Sequence, residues 1–159
     1  MSDRANAEPH TAERDGLAEA VLTRLQPAPF WDHLGCELVA AAAGAATVRF
    51  PNRPEHGRSS NTGDGSAHGG AIASLVDMAA SCALLTTLGP SEGRTTIDLS
   101  VHYLAPARGT LTATATVRRR GGRTAVIDVE VLAEDGGPAA LGRAVFAVLA
   151  PTPAPSPTA

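Results

Sequence analysis

HGGAIASLVDMAASCALLTTL, residues 68–88, is the stretch whose reading decides the fold. From Gly70 to Leu88 it is built of Ala, Leu, Ile, Val and Met with Ser, Thr and Cys between them, and Asp77 is its single charged residue. A run apolar on nearly every side reads as a helix buried in a core. A carboxylate at its centre needs a partner, or its pKa rises. Gly69 and Gly70, at the start of the run, let another group approach the backbone closely. The free N–H groups of the first turn then face that group, which is how a developing oxyanion is held.

Downstream the pattern changes period from 3.6 to 2. Ile97, Leu99, Val101 and Tyr103 alternate with Thr96, Asp98, Ser100 and His102, and Leu111, Ala113, Ala115 and Val117 alternate with threonines. These are strands with one buried face. Further strands are expected over Ala125–Ala133 and Ala139–Leu149, with turns at Pro106–Gly109, Gly121-Gly122 and Glu134–Pro138. Links this short favour antiparallel hairpins. Upstream, Leu17, Val21, Leu22 and Leu25 give an amphipathic helix over Ala12–Leu25. Pro29-Phe30-Trp31 then opens a strand region running from about Cys36 to Phe50, broken at Gly44. Residues 51–67 form a long glycine-bearing loop, expected to be functional or mobile. The class is α+β, a curled antiparallel sheet wrapped around one long central helix.

One domain over residues 11–150 suits a chain of 159 residues, 43% of them hydrophobic. Residues 1–10 are polar and unpatterned, and residues 151–159 alternate Pro with Ala, Ser and Thr, so both ends are expected to be disordered. A net charge of −3, with no basic stretch longer than Arg118-Arg119-Arg120, argues against nucleic acid as a partner. Asp77 inside the apolar run argues against a membrane span. Cys36 and Cys82 lie far apart, and the N-terminus carries acids where a signal peptide is apolar, so a cytoplasmic protein with free thiols is expected.

The combination of His68-Gly69-Gly70-Ala71, Leu75-Val76-Asp77, Thr96-Ile97-Asp98-Leu99 and Tyr103-Leu104-Ala105-Pro106-Ala107 resembles the PaaI-type hot-dog-fold acyl-CoA thioesterases over about Phe30 to Leu149. The resemblance implies a hot-dog fold, an acyl-CoA substrate hydrolysed to free acid and CoA, no cofactor and no metal. It also implies a homodimer formed edge to edge, or a homotetramer made of two such dimers. By position, Gly69 matches the oxyanion-hole glycine, Asp77 the catalytic acid, Thr96 the assisting Ser or Thr, and His68 the histidine of the motif. Six residues before that histidine the family carries Asn or Gln, and this chain has Thr62. Asn61 precedes it by one residue, and a bulge at Gly63 or Gly65 would return it to the site.

Geometry adds an inference independent of the resemblance. Gly69 and Asp77 are eight residues apart, which is about 12 Å along a helix. They cannot serve one carbonyl from one chain, so a shared site requires Asp77 from a second copy, at a two-fold interface. In such a site the Gly69 N–H stabilises the oxyanion, Asp77 acts as general base or nucleophile, and Thr96 orients Asp77 or the water. His68 shapes the loop by hydrogen bonding. Arg118, Arg119, Arg120 and Arg123 flank a turn where they could meet CoA phosphates, although such a cluster is more often a solvated hairpin tip. His56, Asp64, His68 and Asp77 match no metal-ligand spacing. Two other functions compete: a non-catalytic acyl-CoA-binding protein, and a hot-dog dehydratase or hydratase. Asp77 and Thr96 argue against the first, and the histidine's place at the glycine turn argues against the second.

Overall fold

Period-2 alternation carries the strands and the run after His68 carries the long helix in a computed structural model that describes residues 8–26, 28–58 and 63–150. The elements are α1 (Glu8–Leu25), α2 (Pro29–Leu34), β1 (Glu37–Ala42), β2 (Ala45–Phe50), α3 (Gly69–Leu85), β3 (Gly93–Tyr103), β4 (Leu111–Arg120), β5 (Thr124–Leu132) and β6 (Pro138–Leu149). Helix α1 begins ahead of the expected Ala12. The Pro29-Phe30-Trp31 segment is a short helix and not the opening of a strand. Pro29 stands in its first turn, and Gly35, at φ 67°, closes it through N–H bonds to the Asp32 and Trp31 carbonyls. Of the N-terminus expected to be disordered, Glu8 to His10 instead open α1, while residues 1–7 and the tail 151–159 lie outside the described residues.

All six strands form one antiparallel sheet in the order β1-β2-β4-β5-β6-β3. The expected hairpins form between β4 and β5 and between β5 and β6, and the strand region broken at Gly44, which takes φ 73°, folds into a further hairpin of β1 and β2. The link at Pro106–Gly109 is the exception. Strand β3 pairs with β6, so the chain crosses over after Tyr103 instead of turning back. The crossing segment is held by other bonds: Leu104 N–H donates to the Ala139 carbonyl, and the Ala107 carbonyl accepts from Ala67 N–H at 2.8 Å. This leaves β3 at one edge of the sheet, with no neighbour on its outer side among the described residues.

Helix α3 lies in the hollow of the sheet. Leu75, Val76, Ala79, Ala80, Cys82, Ala83 and Leu84 are fully buried against Val48, Phe50, Leu111, Ile127, Val131 and Phe146. Alanines at 113, 115, 125, 140 and 144 keep the facing surface low, so the helix approaches the strands closely. At Gly142 of β6 the helix takes the space of a side chain, since a Cβ there would sit 2.3 Å from Val76 Cγ1. The far end of α3 is tied to α1, where Arg24 donates to the Leu85 and Leu88 carbonyls and, at 2.7 Å, to the Glu92 carbonyl. These include carbonyls left without helical partners. Cys36 and Cys82 are unpaired and buried, and burial pushes both thiols up to about 12.

Gly142→Ala should therefore overpack the contact between α3 and β6 and cost about 1–3 kcal/mol in denaturant unfolding. Val76→Ala in the same chain should restore part of the loss. Equal midpoints for Gly142→Ala and the parent protein would show that the helix is free to shift.

Candidate active site

The start of α3 is built as a cap. His68 has extended backbone (φ −65°, ψ 140°), and its Nδ1 accepts the Gly70 N–H at 2.9 Å. That bond leaves Nδ1 unprotonated and commits the ring to the helix end. A Cβ on Gly70 would stand 3.0 Å from that same nitrogen, so the second glycine makes room for the cap. Gly69 makes room for another group: Tyr103 donates its hydroxyl to the Gly69 carbonyl at 2.9 Å, and its ring lies 3.3 Å from where a Gly69 Cβ would be. The His68 carbonyl accepts from Ala71 and Ile72. Among the described residues the Gly69 N–H has no acceptor. It borders a cleft of about 320 Å3 lined by Ile72, Tyr103, Pro106 and Ala107 among others.

The loop leading to this cap is pinned. His68 N–H donates to the His56 carbonyl at 2.8 Å. His56 itself is 6% exposed, packs its ring at a tilt against Phe50 with centroids 4.9 Å apart, and accepts the Arg53 N–H on Nδ1. Asp64 accepts from Arg58 and Arg108 at 3.1 and 3.3 Å and from the Ser66 N–H at 3.0 Å. The Ser66 N–H bond, followed by the two guanidinium groups, holds the Asp64 carboxyl below its ordinary value. His56 and Asp64 thus serve the loop. Asn61 and Thr62 lie outside the described residues.

Asp77 sits two turns further along α3, on the side facing β3. Thr96 Oγ1 donates to Asp77 Oδ1 at 2.7 Å. The contact exists because β3 is bulged. Thr96 pairs with Phe146 and Asp98 with Val145, so Ile97 is an extra residue, 57% exposed. Strict alternation would put Thr96 on the outer face with Asp98 and Ser100. The bulge turns Thr96 and Arg94 inward to join Leu99, Val101 and Tyr103. The sequence reading grouped Ile97 with the buried face, and the structure corrects it. Arg94 was not singled out in the sequence. Its Nε donates at 2.6 Å to Ser81 Oγ, one turn beyond Asp77, and burial pulls its guanidinium below the usual range. Tyr103 is marked in the sequence by its alternation and by the Tyr103–Ala107 motif, but nothing in its spacing signals the bond to Gly69.

Asp77 and Thr96 border a cleft of about 330 Å3 with Phe30, Ser74, Met78 and Leu99. No residue lines both this cleft and the one at Gly69. The arginines also separate. Arg118 pairs with Asp128 on the outer face of the sheet, whereas Arg120 pairs with Glu92 beyond the end of α3. A groove of about 660 Å3 is on that outer face, where Asp128 bridges Arg118 and Arg143 away from Asp77.

The model of the thioesterase superfamily matches residues 64–140. A Halobacterium salinarum relative is 36% identical over 104 residues, 62% of this chain and 66% of its own length. The medium/long-chain acyl-CoA thioesterase YigI of Salmonella typhimurium is 36% identical over 121 residues, 67% of this chain and 77% of that protein. Among solved structures, the Escherichia coli PaaI protein from the phenylacetic acid degradation operon superposes with a TM-score of 0.75 at 24% identity, covering 88% of this chain and 98% of that one.

Because the folded Asp64 carboxyl titrates below its unfolded value of about 3.9, its bonds contribute stability above that pH and lose it as pH falls through the lowered folded value. Unfolding midpoints measured from pH 5 downward should fall less steeply for Asp64→Asn than for the parent. Identical slopes would remove the pin from the acid response.

Proposed function

The chain belongs to the thioesterase superfamily as a PaaI-type hot-dog thioester hydrolase, and we propose that it cleaves acyl-CoA esters at a site shared between two copies of the chain. The observation that carries this is the Thr96 hydroxyl donating to Asp77, the lone carboxylate of an apolar helix, in a cleft beside the sheet edge left open by β3. One oxygen of Asp77 is oriented by Thr96, and the other is left to act as general base toward water or as nucleophile toward the thioester carbonyl. The Gly69 N–H, at the positive end of α3, receives the charge that develops on the carbonyl oxygen. Either route ends in free acid and the CoA thiol.

Two facts support the shared site. The clefts at Gly69 and Asp77 are separate within one chain. Strand β3 is an open edge carrying exposed Ile97 and Tyr103, next to exposed Leu104. A two-fold pairing of β3 with its copy would cover that edge and bring the middle of one α3 toward the start of the other. Homodimer formation is part of the proposal, and pairing of dimers into a tetramer is an extension of it. The histidine chemistry of a dehydratase is disfavoured because His68 Nδ1 already holds the helix cap. Asn61, if it returns to the site, adds a contact to the thioester. Arg119 and Arg123 remain the members of the basic cluster for a CoA phosphate to meet. Among the described residues no helix is long and apolar enough to cross a membrane.

Thiol release from acyl-CoA esters should fall by orders of magnitude in Asp77→Asn with the fold intact. Thr96→Val, which removes one hydrogen bond to a charged group worth about 1.5–3 kcal/mol, should lower kcat by about 10–100-fold. Near-normal turnover in Asp77→Asn would take the acid out of the mechanism.

Gly69→Pro removes the N–H at a first-turn position where proline suits a helix, so it and Asp77→Asn should each be folded but inactive as homodimers. A doubly tagged mixed dimer of the two then regains one site with intact Gly69 and Asp77, and a substantial part of the activity. A folded mixed dimer as inactive as its parents would overturn the shared site.

A further inference from the structure

Two apolar clefts meet at Asp77. The one described above holds Thr96 and Leu99; a second, of about 240 Å3, runs past Ser81 toward Leu25, Ala28, Pro29 and Trp31. Phe30, Asp77 and Met78 line both, so these side chains stand between them. We propose that Phe30 and Met78 form a wall that sets the length of acyl chain this enzyme accepts. The substrate is then an unfunctionalised aliphatic thioester whose chain runs from Asp77 past Phe30 toward Trp31. This rests on the reading of Asp77 as the reacting group.

The chemistry of the lining selects that class. The hydroxyls near the carboxylate are already engaged: Thr96 with Asp77, Ser74 with the Gly70 carbonyl at 2.9 Å, and Ser81 with Arg94. Beyond Phe30, Leu25, Ala28, Pro29 and Trp31 place no ionisable side chain in the second cleft. A hydroxyl or carboxylate on the acyl group would lose its water there without a charged partner, and a methylene chain loses nothing. Phe30 is suited to be the divider. Helix α2 is anchored by buried Trp31 and Leu34, whereas Phe30 is 57% exposed and, among the described residues, its ring stacks on His33 alone. Its position is fixed by the helix, and its bulk can be changed without disturbing the core.

Two series on the intact protein test this. The first is kcat/KM for straight-chain acyl-CoA esters from butanoyl to hexadecanoyl, with hydroxybenzoyl-CoA as the functionalised comparison. The second is calorimetric affinity for S-alkyl-CoA thioethers of the same lengths, which cannot be hydrolysed. Preference should rise roughly fourfold per buried methylene up to a cut-off. Phe30→Ala and Met78→Ala should move the cut-off to longer chains, raising the ratio of the first rejected length to the last accepted one by about tenfold. Phe30→Trp should move it to shorter chains. A cut-off that ignores all three variants in both series, or a preference for hydroxybenzoyl-CoA over every aliphatic ester, overturns the wall. If no ester is hydrolysed but the thioether cut-off still moves with Phe30, hydrolysis fails and the wall stands. If Asp77→Asn abolishes hydrolysis but the cut-off ignores Phe30, the wall fails alone.

Discussion

Close packing of α3 on β6 sets the geometry on which everything else rests. Gly142 has no side chain, and Val76 occupies the space that one would take. Alanines on either side keep the inner face of the sheet equally shallow. The helix therefore sinks into the sheet until its middle is level with the inner face of β3. That depth puts Asp77 within hydrogen-bond reach of a strand residue. A bulkier inner face would lift the helix and draw the carboxylate away from its partner.

The second constraint is the bulge at Ile97. A strand residue points to one face or the other by its parity, and one inserted residue reverses that parity for everything before it. Thr96 and Arg94 owe their inward direction to this reversal. The bulge lies on an edge strand, where a break in the ladder disturbs only one neighbour. The same edge position leaves Asp77 and Thr96 near a surface that a second chain can cover.

Charged groups do their work outside the core. Asp64 gathers Arg58 and Arg108 to fix the loop before α3, and Glu92 joins Arg120 with its carboxylate while its carbonyl receives Arg24. Both carboxyls are held below their ordinary values by hydrogen bonds from backbone N–H groups first and by the arginines second. These pins fix the two ends of α3 in place. Asp77 is the exception, a half-buried acid on an otherwise apolar helix, with a single hydroxyl donor among the described residues.

The sequence by itself determined most of the elements and singled out the acid. The apolar run after His68 made a buried helix inevitable, Asp77 stood out as its single charge, and alternation marked the strands along with most of their turns. These are local properties, written in spacing and residue type. Tertiary structure alone decided what depends on pairing partners distant in the chain. The crossover after Tyr103 could not be read, because its short proline-bearing link is indistinguishable by length from a hairpin. Alternation assigned Ile97 to the core and Thr96 away from it. Only the register against β6 shows that an extra residue turns Thr96 toward Asp77, because parity is a relation between two strands and no single strand records it.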